Sequence, residues 1–160
     1  MIGGAHRVCL LLGSNIRPEA HLKCAFDLLR GQVSIEKVSA IWKTPAVGTS
    51  GPDFLNVAVL ATTDLSAREL KENVLRPLES QLGRVRGADK NAARPIDLDI
   101  IIYDSLLLDP NLWRQAHRAV PVSEILPDYR SETGVLLKDA ADLLAGTTPM
   151  TLIPGILDGV

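Results

Sequence analysis

Residues 91–104 of this 160-residue chain read NAARPIDLDIIIYD, and this stretch decides the fold. Its run of Ile and Leu predicts a β-strand that is buried in the protein. Asp97 and Asp99 stand two positions apart in that strand, so their side chains point to the same face. An ionised carboxylate is costly to remove from water unless something pairs with it. The strand should therefore border a charged site, and Arg94, three residues before Asp97, is the first candidate partner.

Segments with strand-like and helix-like patterns precede this strand in a regular order. Apolar residues at helical spacing between Pro18 and Gly31 predict a first helix. Ser66 and Glu69 form a capping box that opens a second helix, within which Pro77 should kink the chain or remove a hydrogen bond. The predicted strands lie within residues 7–15, 33–48, 54–63 and 95–104, and the predicted helices span 18–31 and 66–87.

The resulting order, β-α-β-β-α-β, predicts an α/β (α+β) fold of the ferredoxin-like type, with helices on one face of a sheet. We expect a bulge near Lys37, where the alternation slips by one residue. Beyond residue 104 the pattern weakens. It indicates an edge strand in 105–113, a short helical turn in 121–127, a small helix in 133–146 and an irregular tail. We expect one domain over residues 1–160, with its motifs at about 8–104 and a C-terminal extension at about 105–160.

Composition and charge narrow the range of partners. Hydrophobic residues make up 46% of the chain and charged residues 22%, which is typical of a globular protein. No apolar run approaches the ~20 residues of a membrane span. The net charge of −2 provides no general attraction for nucleic acid or an anionic membrane. Cys9 and Cys24 lack metal-site spacing and cannot form a disulfide framework. We expect a cytoplasmic monomer or weak dimer that binds small molecules, and neither nucleic acid nor membrane.

The two aspartates indicate a site with cations. Same-face neighbours on a strand lie about 6.6–7 Å apart at Cα, so two carboxylates there repel each other unless cations intervene. Mg²⁺ commonly takes one or two carboxylates together with substrate phosphates, which makes a metal site shared with a nucleotide one hypothesis. The alternative is a pair of aspartates on a solvent-facing sheet. Arg84, Arg86 and Arg94 bracket the preceding loop, and their guanidinium groups suit phosphate, which favours the nucleotide hypothesis.

A second pair of side chains suits a flat heterocycle. Phe54 and Asn56 begin the strand at 54–63 and share one face of it. An aromatic ring can stack on a heterocycle while an amide pairs with its donor and acceptor edge. The alternative is a core Phe beside an Asn that closes a turn.

Five segments together resemble one enzyme family: LLGSN at 11–15, TPAVG at 44–48, PDFLN at 52–56, LESQLGRVRG at 78–87 and DKNAARPIDLDIIIYD at 89–104. They are similar to 6-hydroxymethyl-7,8-dihydropterin pyrophosphokinase of the folate pathway, over residues 8–104 or about 60% of the chain. The resemblance implies a ferredoxin-like domain that transfers the β,γ-pyrophosphoryl group of ATP to the pterin hydroxymethyl oxygen and releases AMP.

The resemblance also implies roles for individual residues. Asp97 and Asp99 would hold two Mg²⁺ ions that bridge the phosphates of the co-substrate ATP. Arg84 and Arg94 would be the catalytic phosphate contacts. The other nucleotide contacts would come from Glu79, Arg86 and Ile100. The pterin pocket would be formed by Thr44, Pro45, Val47, Phe54 and Asn56, with Phe54 stacked on the ring and Asn56 reading its edge.

The sequence departs from the family pattern at both ends of the acidic strand. Ala93 replaces a common Pro, and Asn91 stands nearest to the place of a frequent Trp. The closing segment after the strand, with its His-Pro and Arg-Ala-Phe elements, is short. Its replacements would come from Trp113, Arg114, His117 and Arg118. Two alternatives stay open: a diverged homologue that binds nucleotide with a lost or changed pterin substrate, and a non-enzymatic ferredoxin-like module.

Overall fold

The computed structural model describes residues 5–46, 51–84, 94–155 and 157. The strands are β1 (His6–Ser14), β2 (Ser34–Val38), β3 (Ile41–Thr44), β4 (Phe54–Thr63), β5 (Asp97–Tyr103), β6 (Leu106–Leu107) and β7 (Thr151–Ile153). The helices are α1 (Pro18–Arg30), α2 (67–81), α3 (Ala116–Ile125) and α4 (Leu137–Ala145), and a 3₁₀ turn covers Pro110–Trp113. Helix α2 has three consecutive segments: Ala67–Leu70, the π-helical Lys71–Leu75 and Arg76–Gln81.

The described strands form one antiparallel sheet of seven strands in the order β6-β5-β1-β4-β3-β7, with β2 also paired to β4. Strands β2 and β3 together take the place of the single strand predicted at 33–48. The register shifts between Ile35 and Lys37, so the predicted bulge near Lys37 is confirmed. The break at Ser39 is stable because its N–H donates to Ala58 O and its Oγ accepts from Ala58 N. The β-α-β-β-α-β fold class is confirmed.

Alternating apolar residues of the central strands fill two cores, one on each face of the sheet. Val8, Leu10 and Leu12 of β1 face helices α1 and α2 in the first core. Cys9 and Leu11 face the opposite way into a second core, which α3 and α4 cover. The C-terminal third of the chain thus closes the face that the β-α-β-β-α-β unit leaves open.

Helix α2 shows the predicted cap and the predicted proline effect. Ser66 Oγ accepts from Glu69 N at 3.1 Å while Glu69 Oε1 accepts from Ser66 N at 3.0 Å, which completes the capping box. Proline has no N–H to donate, and its ring crowds the carbonyl four residues earlier. The widened π-helical turn Lys71–Leu75 lies immediately before the segment that contains Pro77. Pro77 therefore interrupts regular α-helical bonding without ending the helix.

Strand β5 carries one extra residue relative to β1. Asp97 pairs with Gly13 and Asp99 with Leu11, but Ile102 pairs with Cys9, so Ile101 is the residue of a bulge. Both aspartates share the face of Leu11, which belongs to the second core. The prediction that the two carboxylates share one face is confirmed.

The C-terminal extension is more ordered than the sequence indicated. The expected irregular tail is wrong at Thr151–Ile153, which pairs with β3 as strand β7. The expected short helical turn is the end of α3, which spans Ala116–Ile125 and holds Pro121 inside it. The predicted small helix at 133–146 is confirmed as α4. In the ranges that the structure describes, the helices are too short or too polar to cross a membrane.

Candidate active site

Asp97 is the centre of a charged cluster at the start of β5. Arg84 Nη1 donates to Asp97 Oδ1 at 2.5 Å, and Arg94 Nη1 donates to Asp97 Oδ2 at 3.1 Å. Each oxygen therefore has its own guanidinium group. Burial alone would lower the pKa of Arg84, but Asp97 and Glu79 outweigh it and raise the pKa, so Arg84 stays charged. The structure thus brings Arg84 and Arg94 to the acidic strand, as the sequence indicated.

Glu79 fixes the position of the Arg84 guanidinium group through a hydrogen bond. Its carboxylate is 3% exposed, and its Oε2 accepts from Arg84 Nη1 at 3.0 Å and from Leu98 N at 2.8 Å. These bonds tie α2 to the edge of β5. The nucleotide contact implied for Glu79 stays a prediction, and its observed position suits the orientation of Arg84.

Asp99 has a different environment from Asp97. Burial first and the Asp97 carboxylate second raise the pKa of Asp99 to about 6, against a smaller lowering effect of Arg118. Arg118 Nη2 lies 3.8 Å from Asp99 Oδ2, which is an ion pair without a hydrogen bond. Burial and the adjacent Arg118 lower the pKa of His117 to about 4, so His117 is neutral at pH 7. The repulsion expected between the two aspartates is therefore present.

A cleft of about 800 Å³ opens along the start of β5, between α2 and residues 108–109. Asp99 and Ile100 line it from the strand, and Asp109 and Arg118 line it from the C-terminal part. Cationic side chains dominate its α2 wall. Such a volume is in the range of small-molecule and cofactor sites, roughly 300–1,000 Å³. The α2 wall consists of Ala67, Arg68, Lys71, Glu72, Leu75 and Arg76.

The side chains expected to bind a heterocycle lie next to this cluster on the same sheet. Asn56 is 3% exposed, and its Nδ2 donates to Thr44 Oγ1 at 2.9 Å. Phe54 is half-buried and pairs with Thr44 across the two strands. Asn56 pairs with Gly13, and Gly13 pairs with Asp97, so the three residues form one row across β4, β1 and β5.

Gly13 leaves open the space between the two ends of this row. A Cβ at position 13 would lie 3.4 Å from Asn56 Oδ1 and 3.7 Å from Phe54 Cδ1. Adjacent strands are about 4.7–4.9 Å apart, so Asn56 and Asp97 are separated by roughly twice that distance. The amide and the carboxylate can therefore contact opposite ends of one small ligand.

Asn15 connects three loops at the end of β1. Its Oδ1 accepts from Arg94 N at 2.6 Å, its N–H donates to Arg94 O at 3.0 Å, and its Nδ2 donates to Pro52 O at 3.4 Å. Asn15 is 4% exposed. The side chain therefore fixes the backbone of Arg94 relative to the segment that precedes Phe54.

The remaining predicted residues divide into three groups. Pro45 is exposed at the end of β3, and Ile100 lines the cleft. Val47 and Arg86 lie outside the described residues. Two of the proposed replacements for the closing segment do not reach the site. Trp113 stacks on Tyr129, with 6.1 Å between the ring centroids, and packs against the second core. Arg114 is exposed. Arg118 reaches Asp99 of the acidic strand, and His117 lies against Arg118.

Sequence reasoning assigned no site role to Gly13 or Asn15. A glycine inside a strand pattern is a known sign of close backbone approach, and this sign was available in LLGSN at 11–15. Asn15 carried only the weaker signal of a polar residue after a strand. Arg118 was one of four candidates, and only the placement of α3 separates it from Arg114.

The fold and the cluster define a class: a ferredoxin-like α+β domain with an arginine–carboxylate cleft and, on the same sheet, an amide beside an aromatic side chain. The family model for 7,8-dihydro-6-hydroxymethylpterin-pyrophosphokinase (HPPK) matches residues 9–127. The chain belongs to this family.

The names of curated relatives are consistent with this family. The 2-amino-4-hydroxy-6-hydroxymethyldihydropteridine pyrophosphokinase of Helicobacter pylori is 36% identical over 112 residues, which cover 67% of this chain and 68% of the relative. The Synechocystis enzyme of the same name is 29% identical over 141 residues, 78% of this chain and 68% of the relative. The mitochondrial folate synthesis bifunctional protein of Pisum sativum is 34% identical over 130 residues, 74% of this chain. The chain spans only 25% of the length of that pea protein.

Solved structures support the fold. A crystal structure of wild-type Plasmodium falciparum HPPK-DHPS superimposes with a TM-score of 0.71 at 10% sequence identity. The match covers 89% of this chain and 42% of the Plasmodium chain. At this identity the likeness concerns the fold alone.

Proposed function

We propose that this domain transfers pyrophosphate from ATP to 6-hydroxymethyl-7,8-dihydropterin, giving the pterin diphosphate and AMP in folate biosynthesis. The observation that carries the proposal is the row Asn56–Gly13–Asp97, which places an amide suited to the edge of a flat heterocycle near a cluster suited to phosphate. Family membership and the names of the relatives support the same reaction.

The phosphate half of the site, the charged cluster around Asp97 and Asp99, would act by neutralising charge and positioning the nucleotide. Among the described residues, Glu79, Asp97, Asp99 and Asp109 carry four carboxylates, and Arg84, Arg94 and Arg118 carry three guanidinium groups. This inner cluster is therefore negative by one charge before a nucleotide enters. The α2 wall of the cleft adds net positive charge, but a triphosphate carries about four negative charges, so bound metal cations would still favour nucleotide binding. Phosphoryl transfer depends mainly on such neutralisation and on in-line positioning.

The carboxylates of Asp97 and Asp99 are suitable ligands for Mg²⁺, which would supply the additional positive charge. Asp97 and Asp99 present hard oxygen ligands from one strand face, and Asp99 retains 38% side-chain exposure and lines the cleft. We expect these two residues to hold two Mg²⁺ ions. When bound, Mg²⁺ neutralises phosphate charge and orients the transferred group. Arg84 and Arg94 would then contact phosphate oxygens, with Ile100 against the nucleotide and Arg86 as a further contact.

The pterin half works by shape and hydrogen bonding. Asn56 Nδ2 is held by Thr44 Oγ1 and lies 3.3 Å from Trp42 O, so the amide orientation is fixed before a ligand binds. Its Oδ1 faces the space above Gly13. Phe54 would stack on the ring, while Pro45 and Val47 would complete the wall. A pre-oriented amide costs less entropy to use than a mobile one.

The decisive experiment measures AMP formed from MgATP with and without the pterin. AMP that appears only with the pterin supports the reaction, whereas nucleotide binding without pterin-dependent AMP supports the diverged homologue. Asp97→Asn keeps an acceptor for Arg84 but removes the charge, and should lower kcat/KM about 10²–10³-fold, the usual effect of one lost charge stabiliser. Asp104→Asn, at the exposed end of the same segment, is the matched control and should leave the rate unchanged.

The two halves of the site can be tested separately. Phe54→Ala should weaken pterin binding at least tenfold more than binding of a non-hydrolysable ATP analogue, because a buried aromatic stack supplies about 1–3 kcal/mol per ring. Isothermal titration of each ligand alone gives the two affinities. Equal losses for both ligands would contradict the assigned pocket.

We also propose a cellular location and an oligomeric state. The net charge of −2 provides no general attraction for nucleic acid, and we propose that the domain acts in the cytoplasm as a monomer or weak dimer, without nucleic acid. Sedimentation at two concentrations tests the oligomeric state.

A further inference from the structure

Glu124 joins helix α3 to the break between strands β2 and β3. Its Oε1 accepts from Ala40 N at 2.9 Å, and its Oε2 accepts from Trp42 Nε1 at 3.1 Å. The side chain is exposed, yet each carboxylate oxygen has its own N–H donor. Hydrogen bonds to a charged acceptor are roughly twice as strong as those between neutral groups. Glu124 therefore fixes both the backbone at Ala40 and the orientation of the Trp42 ring.

Trp42 is the cross-strand neighbour of the amide that we propose for the pterin. It pairs with Asn56 across β3 and β4, so the two side chains share one face of the sheet. Asn56 Nδ2 donates to Trp42 O at 3.3 Å and to Thr44 Oγ1 at 2.9 Å. Both acceptors belong to β3, a strand of only four residues. The orientation of the amide therefore depends on the position of β3.

Helix α3 provides a fixed point from which Glu124 can hold this strand. Val122 and Ile125, on either side of Glu124, are buried in the second core. Near the other end of this ten-residue helix, Arg118 Nη2 lies 3.8 Å from Asp99 Oδ2. One helix thus reaches the acidic strand from its first turn and β3 from its last turn.

We propose that Glu124 is a positioning residue for the pterin half of the site. Through Ala40 and Trp42 it holds β3 where the strand orients the Asn56 amide. Glu124 acts through this strand and does not contact the pterin. Because a pre-oriented amide loses less entropy on binding, a displaced or mobile β3 should weaken pterin affinity. The inference rests on the proposed function for the identity of the heterocycle.

A purely structural role of Glu124 would give a different pattern of losses. If the residue only tied α3 to the sheet, its loss would lower the midpoint of thermal unfolding and weaken both ligands alike. A positioning role instead predicts a loss for the pterin alone. It also predicts a changed environment of the Asn56 amide before any ligand binds.

The experiment is isothermal titration of the full chain with the pterin and, separately, with a non-hydrolysable ATP analogue plus Mg²⁺. Glu124→Gln places an NH₂ group against one of the two N–H donors, so only one of the two hydrogen bonds can remain. Pterin binding should weaken about threefold to tenfold, the effect of one lost hydrogen bond, with analogue affinity within twofold of wild type. In turnover, the KM for the pterin should rise while kcat stays within twofold. Glu132→Gln, at an exposed glutamate after the same helix, is the matched control and should behave as wild type.

A double-mutant cycle tests the route through the Trp42 indole. Trp42→Phe removes the Nε1 donor but keeps an aromatic ring, and should weaken pterin binding by a similar factor. In that background, Glu124→Gln can accept from Ala40 N with its amide oxygen while its NH₂ group faces water. The double variant should therefore bind the pterin no more weakly than Trp42→Phe alone. Additive losses overturn the route through Trp42.

The Asn56 side-chain amide reports the position of β3 in the ligand-free protein. In proton–nitrogen correlation spectra, Glu124→Gln should shift the Asn56 side-chain signals, and Glu132→Gln should leave them in place. Unshifted signals, wild-type pterin affinity, or equal losses for both ligands in Glu124→Gln overturn the proposal. If Glu124→Gln does not fold, Trp42→Phe with unchanged pterin affinity overturns it.

The outcomes separate this inference from the proposed reaction. Pterin-dependent AMP formation in the wild type, with unchanged pterin affinity in Glu124→Gln, leaves the reaction standing and removes the inference. Absence of pterin-dependent AMP in the wild type, with shifted Asn56 signals in Glu124→Gln, removes the reaction and supports the positioning of the amide.

Discussion

Asp97 and Asp99 occupy equivalent positions in the strand pattern, but nearby arginines neutralise their negative charges to different extents. Asp97 accepts hydrogen bonds from two arginines, one on each oxygen. Asp99 has Arg118 at ion-pair distance, but its burial first and the repulsion by Asp97 second raise its pKa to about 6. Asp97 therefore orders the site before a ligand binds, while Asp99 carries a charge that the folded protein alone does not fully compensate.

This difference predicts a pH dependence of stability. The pKa of Asp99 is raised above its ordinary value of 3.8, so the folded protein binds this proton more tightly than the unfolded chain does. The resulting stabilisation is present below about pH 4 and is lost as pH rises through 6. Because the side chain remains 38% exposed, solvent screening limits the loss to on the order of 1 kcal/mol. Urea unfolding should show that Asp99→Asn gains this amount relative to wild type between pH 4 and pH 8.

Asp104→Asn is the control with the opposite sign. Hydrogen bonds from His6 first and from the Arg7 backbone lower the pKa of Asp104. Its stabilisation is present above the ordinary carboxyl pKa and is lost as pH falls below that value, so Asp104→Asn should lose stability relative to wild type as pH rises through it and show no trend between pH 4 and pH 8. The same direction of change in both variants would contradict the environment assigned to Asp99.

Sequence reasoning succeeds for residues that local geometry controls. The shared face of Asp97 and Asp99 follows from strand alternation, and Arg94 is close enough along the chain to reach the pair. The bond between Glu79 and Arg84 was not predicted, because it depends on the exact position of α2 against the edge of β5. Arg118 is 19 residues from Asp99, and no periodicity could place it there.

At the level of elements, β7 supports the pterin half of the site. Strand β3 carries Thr44 and is only four residues long. It pairs with β4 on one side and with β7 on the other, so β7 protects the outer edge of β3. Short strands with a free edge fray readily, and a fixed Thr44 is needed to orient Asn56.

Removal of β7 should therefore weaken one ligand selectively. A variant ending at residue 148 should bind the pterin about three to ten times more weakly, with affinity for the ATP analogue within twofold of wild type. Titration of each ligand gives the comparison. Leu152→Ala, which shortens an exposed side chain but keeps the strand backbone, is the control and should bind both ligands normally. Unchanged pterin affinity in the truncated variant would show that β3 holds its position alone.

Prediction of elements failed where proline or shortness obscured the pattern. Pro121 divides the apolar pattern of α3, so only its second half was predicted. Strand β7 has three residues, too few for alternation to be read, and its pairing with β3 is set by tertiary contact. The helices with a clear 3.6-residue period, α1 and α4, were predicted closely.

For the whole molecule, one sheet is shared by two cores, and β1 contributes to both. Burial raises the pKa of Cys9 to about 12, and its thiol lies between the sheet and the helices α3 and α4. Cys24 on α1 is exposed. The two thiols therefore report different states of the protein.

The rate of thiol labelling at Cys9 should report whether the second core is intact. In the native protein, a disulfide reagent should modify Cys24 rapidly and Cys9 only on unfolding, because a buried thiol with a raised pKa is a poor nucleophile. Mass spectrometry after labelling would count the adducts, and Cys24→Ser would isolate the slow reaction of Cys9. Rapid native labelling of Cys9 would show that α3 and α4 leave the sheet in solution.

The bulge at Ile101 has a consequence for how this strand tolerates changes in length. Because of the extra residue, Asp97 and Asp99 lie on one side of the sheet while Tyr103 lies on the other, where its hydroxyl donates to Leu65 O at 2.8 Å. A one-residue deletion there would turn either the acidic pair or the tyrosine to the wrong side. We therefore expect insertions and deletions within residues 97–103 to disrupt the site. Homologues and engineered variants should differ in length only outside this strand.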